Sequence, residues 1–182
     1  MKPTLKSTKH LVRMGLYTAI ALTIFMVEAQ IPSIAPSIPG IKLGLSNIVT
    51  LFLLTCESKR DAVMVLLGRI LLGSFFVGQM MTLLYSLAGG LLSFLVMALC
   101  STIFQKKVLW FTGIAGGVFH NIGQILAAAA LMQTTAVFAY LPVLILCGMG
   151  TGLFNGLAAA FSVKHFLTLP KAKNISEKEK KT

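Results

Sequence analysis

"FHNIGQILAAA", residues 119–129, lies in a run apolar enough to be buried in lipid, yet it carries His120, Asn121 and Gln124 within five positions. What surrounds it decides the class of fold. Of 182 residues, 56% are hydrophobic and 12% charged, with a mean hydropathy of +0.86. That is more apolar surface than a soluble domain of this size can hide, so the chain is read as an integral membrane protein in a lipid bilayer.

A spanning helix needs about 20 mostly apolar residues. Working outward from 119–129, charge, Pro and Gly divide the chain into six such segments, near 11–28, 42–56, 61–78, 80–104, 109–133 and 137–166. The fold class expected is all-α, a six-helix transmembrane bundle forming one domain over 1–168, with a charged, disordered cytoplasmic tail over 169–182. The second segment is short, and the break between the third and fourth, around Gly78 and Gln79, is tight.

Orientation follows from Lys and Arg, which cytoplasmic loops retain. Lys2, Lys6, Lys9 and Arg13 precede the first segment, Lys59 and Arg60 the third, Lys106 and Lys107 the fifth. Lys164, Lys171, Lys173, Lys178, Lys180 and Lys181 lie at or beyond the end of the sixth. All fourteen fall on one side if there are six spans, so both termini are predicted cytoplasmic. Only Lys42 belongs to the opposite loops, and Arg69 is left inside a helix. The net charge of +11 follows this distribution and offers no aromatic-interleaved basic surface for nucleic acid. The start also mimics a secretory signal, with "VEA" at 27–29, but Glu28 and the length of the run favour a retained first helix. Cys56, Cys100 and Cys147 have no paired spacing and read as packing residues, so no metal or disulfide motif is expected.

An Arg near a helix centre costs roughly 2.5–3.5 kcal/mol on insertion scales, so such groups face a partner or a wet cavity. Arg69 stands about 12 Å, or eight residues, from the cytoplasmic start of its segment. His120 and Asn155 lie at comparable depth. Glu28, Gln30, Lys42, Asn47 and Gln79 lie near the outer ends, so the polar groups mark a cavity open to the outside. His120 and Gln124, four apart, share a face with Gly113, Gly116, Gly117 and Ala127. A similar stripe runs through Gly148, Gly152, Asn155, Gly156 and Ala159. Small residues at this spacing let helices approach closely. The polar groups among them are read equally as a binding site and as interhelical hydrogen-bonding glue. The outer loop "AQIPSIAPSIPGIKLGLSN", 29–47, is stiffened by Pro32, Pro36 and Pro39 and given turns by Gly40 and Gly44, as a lid or a rigid connector.

Three motifs, "PGIKLGLSNIVTLFLL" at 39–54, "LLGRILLGSFF" at 66–76 and "GGVFHNIGQILAA" at 116–128, resemble a family of small bacterial six-helix membrane proteins. It is known as the Gx transporter family or heptaprenyl diphosphate synthase component I. That family is similar in architecture to the S-components of energy-coupling factor transporters. The resemblance implies a multi-pass protein of the bacterial cytoplasmic membrane that captures a vitamin or other micronutrient from outside. It also implies docking on a transmembrane coupling subunit driven by ATPases. Docking in those systems uses an Ala-x-x-x-Ala pattern on the first helix; "GLYTA", Gly15 to Ala19, is the nearest match in this chain.

On that reading Lys42, Arg69 and His120 complement an anionic or hydrogen-bonding substrate, and Asn47, Gln79, Asn121, Gln124 and Asn155 orient it. No Walker motif is present, so energy for ATP-driven uptake must come from a partner, and no cofactor is expected. The alternative is a non-catalytic accessory subunit of heptaprenyl diphosphate synthesis, or another redox or assembly accessory protein. Prenyl synthases hold diphosphate through Mg²⁺ on aspartate clusters. With Asp61 as its one Asp, the chain is expected not to be an enzyme of that kind.

Overall fold

The computed structural model describes residues 8–31, 41–78, 80–104 and 108–168. Gln79, Gly40, the prolines of the outer loop, Lys2, Lys6, Lys106, Lys107 and the 169–182 tail lie outside them. The described residues form helices α1 (Thr8–Glu28), α2 (Asn47–Cys56), α3 (Lys59–Val77), α4 (Met80–Phe104), α5 (Leu109–Met132) and α6 (Leu141–Thr168), with no strand among them. A short 3-10 helix, Ala136–Tyr140, leads into α6. The change of helix type falls at Pro142, which lacks an N–H and is tolerated only in a helix's first turn. α1, α4, α5 and the stretch Ala136–Phe166 are long and apolar enough to cross a membrane.

The ends of these helices are set locally. Ser58 caps α3 by accepting from the Asp61 N–H at 3.2 Å, which satisfies one of the orphan amides of the first turn. Gly78, left-handed at φ 69°, closes α3, and its N–H donates to Ser74 O.

α2 is the centre of the bundle. It packs against all five other helices, while neighbouring contacts join α1 to α3, α3 to α4, α4 to α5 and α5 to α6. Seven of its ten residues are buried, so it shows no polar stripe. At 1.5 Å per residue it is about 15 Å long, roughly half of a hydrocarbon core about 30 Å thick.

α5 lies between α4 and α6 on glycine contacts. A Cβ on Gly156 would stand 2.6 Å from Trp110 Cα, and one on Gly123 2.8 Å from Gly89 Cα. Gly113 and Gly117 meet Gly152 and Gly148 backbone to backbone. These are the small-residue spacings read from the sequence, realised as close helix packing.

Of the described basic residues, Lys42 and Arg69 stand apart, while Lys9, Arg13, Lys59, Arg60 and Lys164 collect at one end. There His10 Nε2 lies 3.2 Å from Asp61 Oδ2, and Arg13 Nη2 3.2 Å from Glu57 Oε2. Lys59 Nζ donates to Thr102 Oγ1 at 3.0 Å. Tyr17, Phe52 and Phe166 stack in sequence there, with centroids 5.8 and 5.7 Å apart. The start of α1, the α2–α3 junction and the ends of α4 and α6 therefore share this end.

Candidate functional site

The apolar pattern of Ile41, Leu43 and Leu45 extends the predicted second helix back to residue 42. The structure corrects this: helix begins only at Asn47, and 41–46 is non-helical backbone. Gly44 holds a left-handed φ of 80°, a conformation that costs other L-residues energy. Backbone outside a helix carries donors and acceptors that lipid cannot satisfy. At membrane depth it is tolerated only where protein groups meet them.

Three helices, α1, α5 and α6, supply those groups, and α3 and α4 bind the side chains that follow. The side-chain amide of Gln124, on α5, accepts from Lys42 N and donates to Lys42 O, each at 2.8 Å. Thr151 Oγ1, on α6, lies 3.2 Å from Leu43 O. The Glu28 carboxylate at the end of α1 accepts from Gly44 N and, at 3.1 Å, from Leu45 N. Asn155 Nδ2, one turn beyond Thr151, donates to Gly44 O at 2.9 Å. Arg69, 2% exposed on α3, donates to Ser46 Oγ and, at 2.8 Å, to Asn47 Oδ1. Asn47 Nδ2 reaches Ser93 Oγ of α4 at 3.4 Å.

The structure thus brings Lys42, Asn47, Arg69, His120, Gln124 and Asn155 around one turn. His120 packs its ring on Gly44, where a Cβ would stand 2.6 Å from His120 Cδ2. Asn121, on the same helix, turns instead to α6 and donates to Leu144 O at 2.6 Å. Gln79 lies outside the described residues. Gly15 and Ala19 are exposed on α1, and a Cβ on Gly15 would meet nothing within 4 Å.

Polar capacity remains in this cluster. Lys42 Nζ, Arg69 Nε, His120 Nδ1, Asn121 Oδ1 and Asn155 Oδ1 are buried without a hydrogen-bond partner. Lys42 Nζ stands over the Phe25 ring, 3.3 Å from its centroid, a cation–π contact. With Lys42 charged, Glu28 is one negative charge against two positive ones, Lys42 and Arg69, all three within electrostatic reach. Glu28, Ser46, Ser93 and Thr151 are partners that the sequence-based site does not contain. Glu28 stands out in sequence as an acid at the end of an apolar helix. Thr151 is findable only from its four-residue spacing to Asn155.

Gly44→Ala is expected to destabilise the protein by about 2 kcal/mol or more, through left-handed strain and the clash with His120. Gly78→Ala is the control, because Gly78 has a similar φ of 69° with nothing within 4 Å of a Cβ. Thermal unfolding in detergent checks this; equal shifts for the two variants would show that the His120 contact carries no weight.

Among known protein families, the one described as heptaprenyl diphosphate synthase component I matches residues 17–162. No curated protein and no solved structure matches the chain.

Proposed function

The chain belongs to the heptaprenyl diphosphate synthase component I family, and from that premise we propose that it is a non-catalytic, substrate-binding membrane subunit of S-component type. On this reading α2 and α3 complete six spans with both termini cytoplasmic. Residues 41–46 with α2 form one discontinuous span, whose helical part covers about half of the bilayer.

One observation carries the reading: a non-helical turn ringed by buried polar side chains that keep unpartnered atoms, which six spans would put at membrane depth. Broken spans of this kind place substrates near the midplane in transporters. The surplus positive charge of Lys42 and Arg69 over Glu28 supports an anionic micronutrient as the solute. Lys42, Asn47, Arg69, His120, Asn121, Gln124 and Asn155, with Gln79, are the proposed contacts. Gly15 and Ala19, exposed on α1, are the proposed docking step for a transmembrane coupling subunit and its ATPases in the bacterial cell membrane.

The family's name favours a second reading, an accessory subunit that assists a separate prenyl synthase. Affinity purification of the full chain from its native membrane in mild detergent separates the two. A coupling subunit with ATPases is expected to co-purify, and Gly15→Leu, which meets open space, is expected to lose them without unfolding. A prenyl synthase captured in their place would overturn the transport reading.

A further inference from the structure

Ser74, on α3, departs from the behaviour of many helix hydroxyls in this bundle. Thr18, Thr55, Thr112, Thr151 and Ser162 each donate to the carbonyl four residues earlier, at 2.8–3.2 Å, the usual resort of a hydroxyl in an apolar helix. Ser74 is 7% exposed, and its Oγ has no hydrogen-bond partner. A buried hydroxyl left so is costly.

The same residue lines a cavity of about 480 Å³ between the end of α3 and the start of α4, with Leu71, Phe75, Gly78, Met80 and Leu83. That volume is in the range of small-molecule sites. Among the described residues no charged side chain lines it, so a phosphate or carboxylate at Ser74 would stay uncompensated. On the six-span reading its surroundings face lipid: Phe75 is 82% and Met80 72% exposed, and Leu72, Phe76 and Met81 beside them are exposed too. An occupant therefore arrives through the bilayer and offers an uncharged acceptor followed by an apolar chain. Ser74 stands three residues before the end of α3, about 5 Å along the axis, a depth suited to the ester groups beneath lipid headgroups.

We propose that this cleft binds one acyl chain of a bilayer glycerolipid, whose ester carbonyl accepts a hydrogen bond from Ser74 Oγ. The cleft lies at the opposite end of the bundle from the basic cluster and is separate from the turn at Gly44.

The test reconstitutes the full chain in nanodiscs of diester phosphatidylglycerol doped with the same lipid carrying a photoreactive diazirine on one acyl chain. Cross-links are expected to concentrate on Leu71, Phe75, Met80 and Leu83. Ser74→Ala is expected to reduce them about fivefold, the factor that one net hydrogen bond represents. A diether lipid, which lacks the carbonyl, is expected to reduce labelling of the wild type equally, and Ser74→Ala to add nothing further. Leu83→Trp, which fills the cleft, is expected to abolish labelling at an unchanged thermal midpoint. Labels spread evenly over the apolar surfaces of α1 and α6, or labelling of the wild-type cleft that is the same for ester and ether lipids, would overturn the proposal. The lipid comparison uses the wild type, so it decides the matter even if a variant fails to fold.

Discussion

Glu28→Gln is expected to destabilise the folded protein by about 3 kcal/mol or more, the scale for leaving buried charges without their partner. The carboxylate accepts from the N–H groups of both Gly44 and Leu45. A carboxamide has one acceptor oxygen, and its NH₂ would face the second N–H donor to donor. The substitution also removes the negative charge that faces Lys42 and Arg69. Thermal unfolding in detergent measures the loss, and amide hydrogen exchange locates it. Exchange at Gly44 and Leu45 is expected to rise while the α5–α6 interface stays protected, because that interface rests on glycine contacts. Unchanged exchange at both amides would refute the role given to Glu28.

Arg69→Met is expected to cost a similar amount, about 3 kcal/mol. Met keeps much of the length but supplies no donor, so Asn47 Oδ1 and Ser46 Oγ lose the bonds that fix the start of α2. Arg69→Lys is expected to recover only part of the loss, since an ammonium does not reproduce the planar fork that reaches two acceptors. Combined with Glu28→Gln, Arg69→Met is expected to cost less than the sum of the two, because each single variant strands the other charge. Strict additivity in that double-mutant cycle would show that the two groups act independently.

Much of this architecture is legible in the sequence because lipid penalises polarity so heavily. The long apolar runs give α4 as 80–104 and the start of α5 at 109, as observed. Arg69, His120, Gln124 and Asn155 stand out for the same reason, since polar side chains in such runs need a purpose. Hydropathy carries the second span back to 42 because Ile41, Leu43 and Leu45 are as apolar as a helix requires. What unwinds 41–46 is distant in sequence: Gln124 lies 82 residues from Lys42, and Asn155 111 from Gly44. Thr151 is hard to read from sequence because a hydroxyl can satisfy itself on its own helix and so carries little signal beyond its spacing to Asn155. Thr151 Oγ1 does this in part, lying 3.0 Å from Cys147 O while also reaching Leu43 O. The stop before α6 is local, set by Pro142, and hydropathy alone runs straight through it.

The polar ring around Gly44 is proposed to hold a solute as well as its own backbone. Native mass spectrometry of the full chain extracted in mild detergent, for wild type and His120→Ala side by side, tests this most directly. His120 has an unpartnered Nδ1 and meets Gly44 through ring packing, whereas Glu28, Gln124, Thr151 and Asn155 bind the backbone of 42–45. Loss of the imidazole is therefore expected to spare the fold. The expected result is a constant small-molecule adduct on the wild type that the variant retains at least about tenfold more weakly, the effect of removing a hydrogen bond to a charged group. A wild-type protein that carries no adduct, or one that His120→Ala leaves equally bound, would contradict the proposal and leave the buried polar groups as structural glue alone.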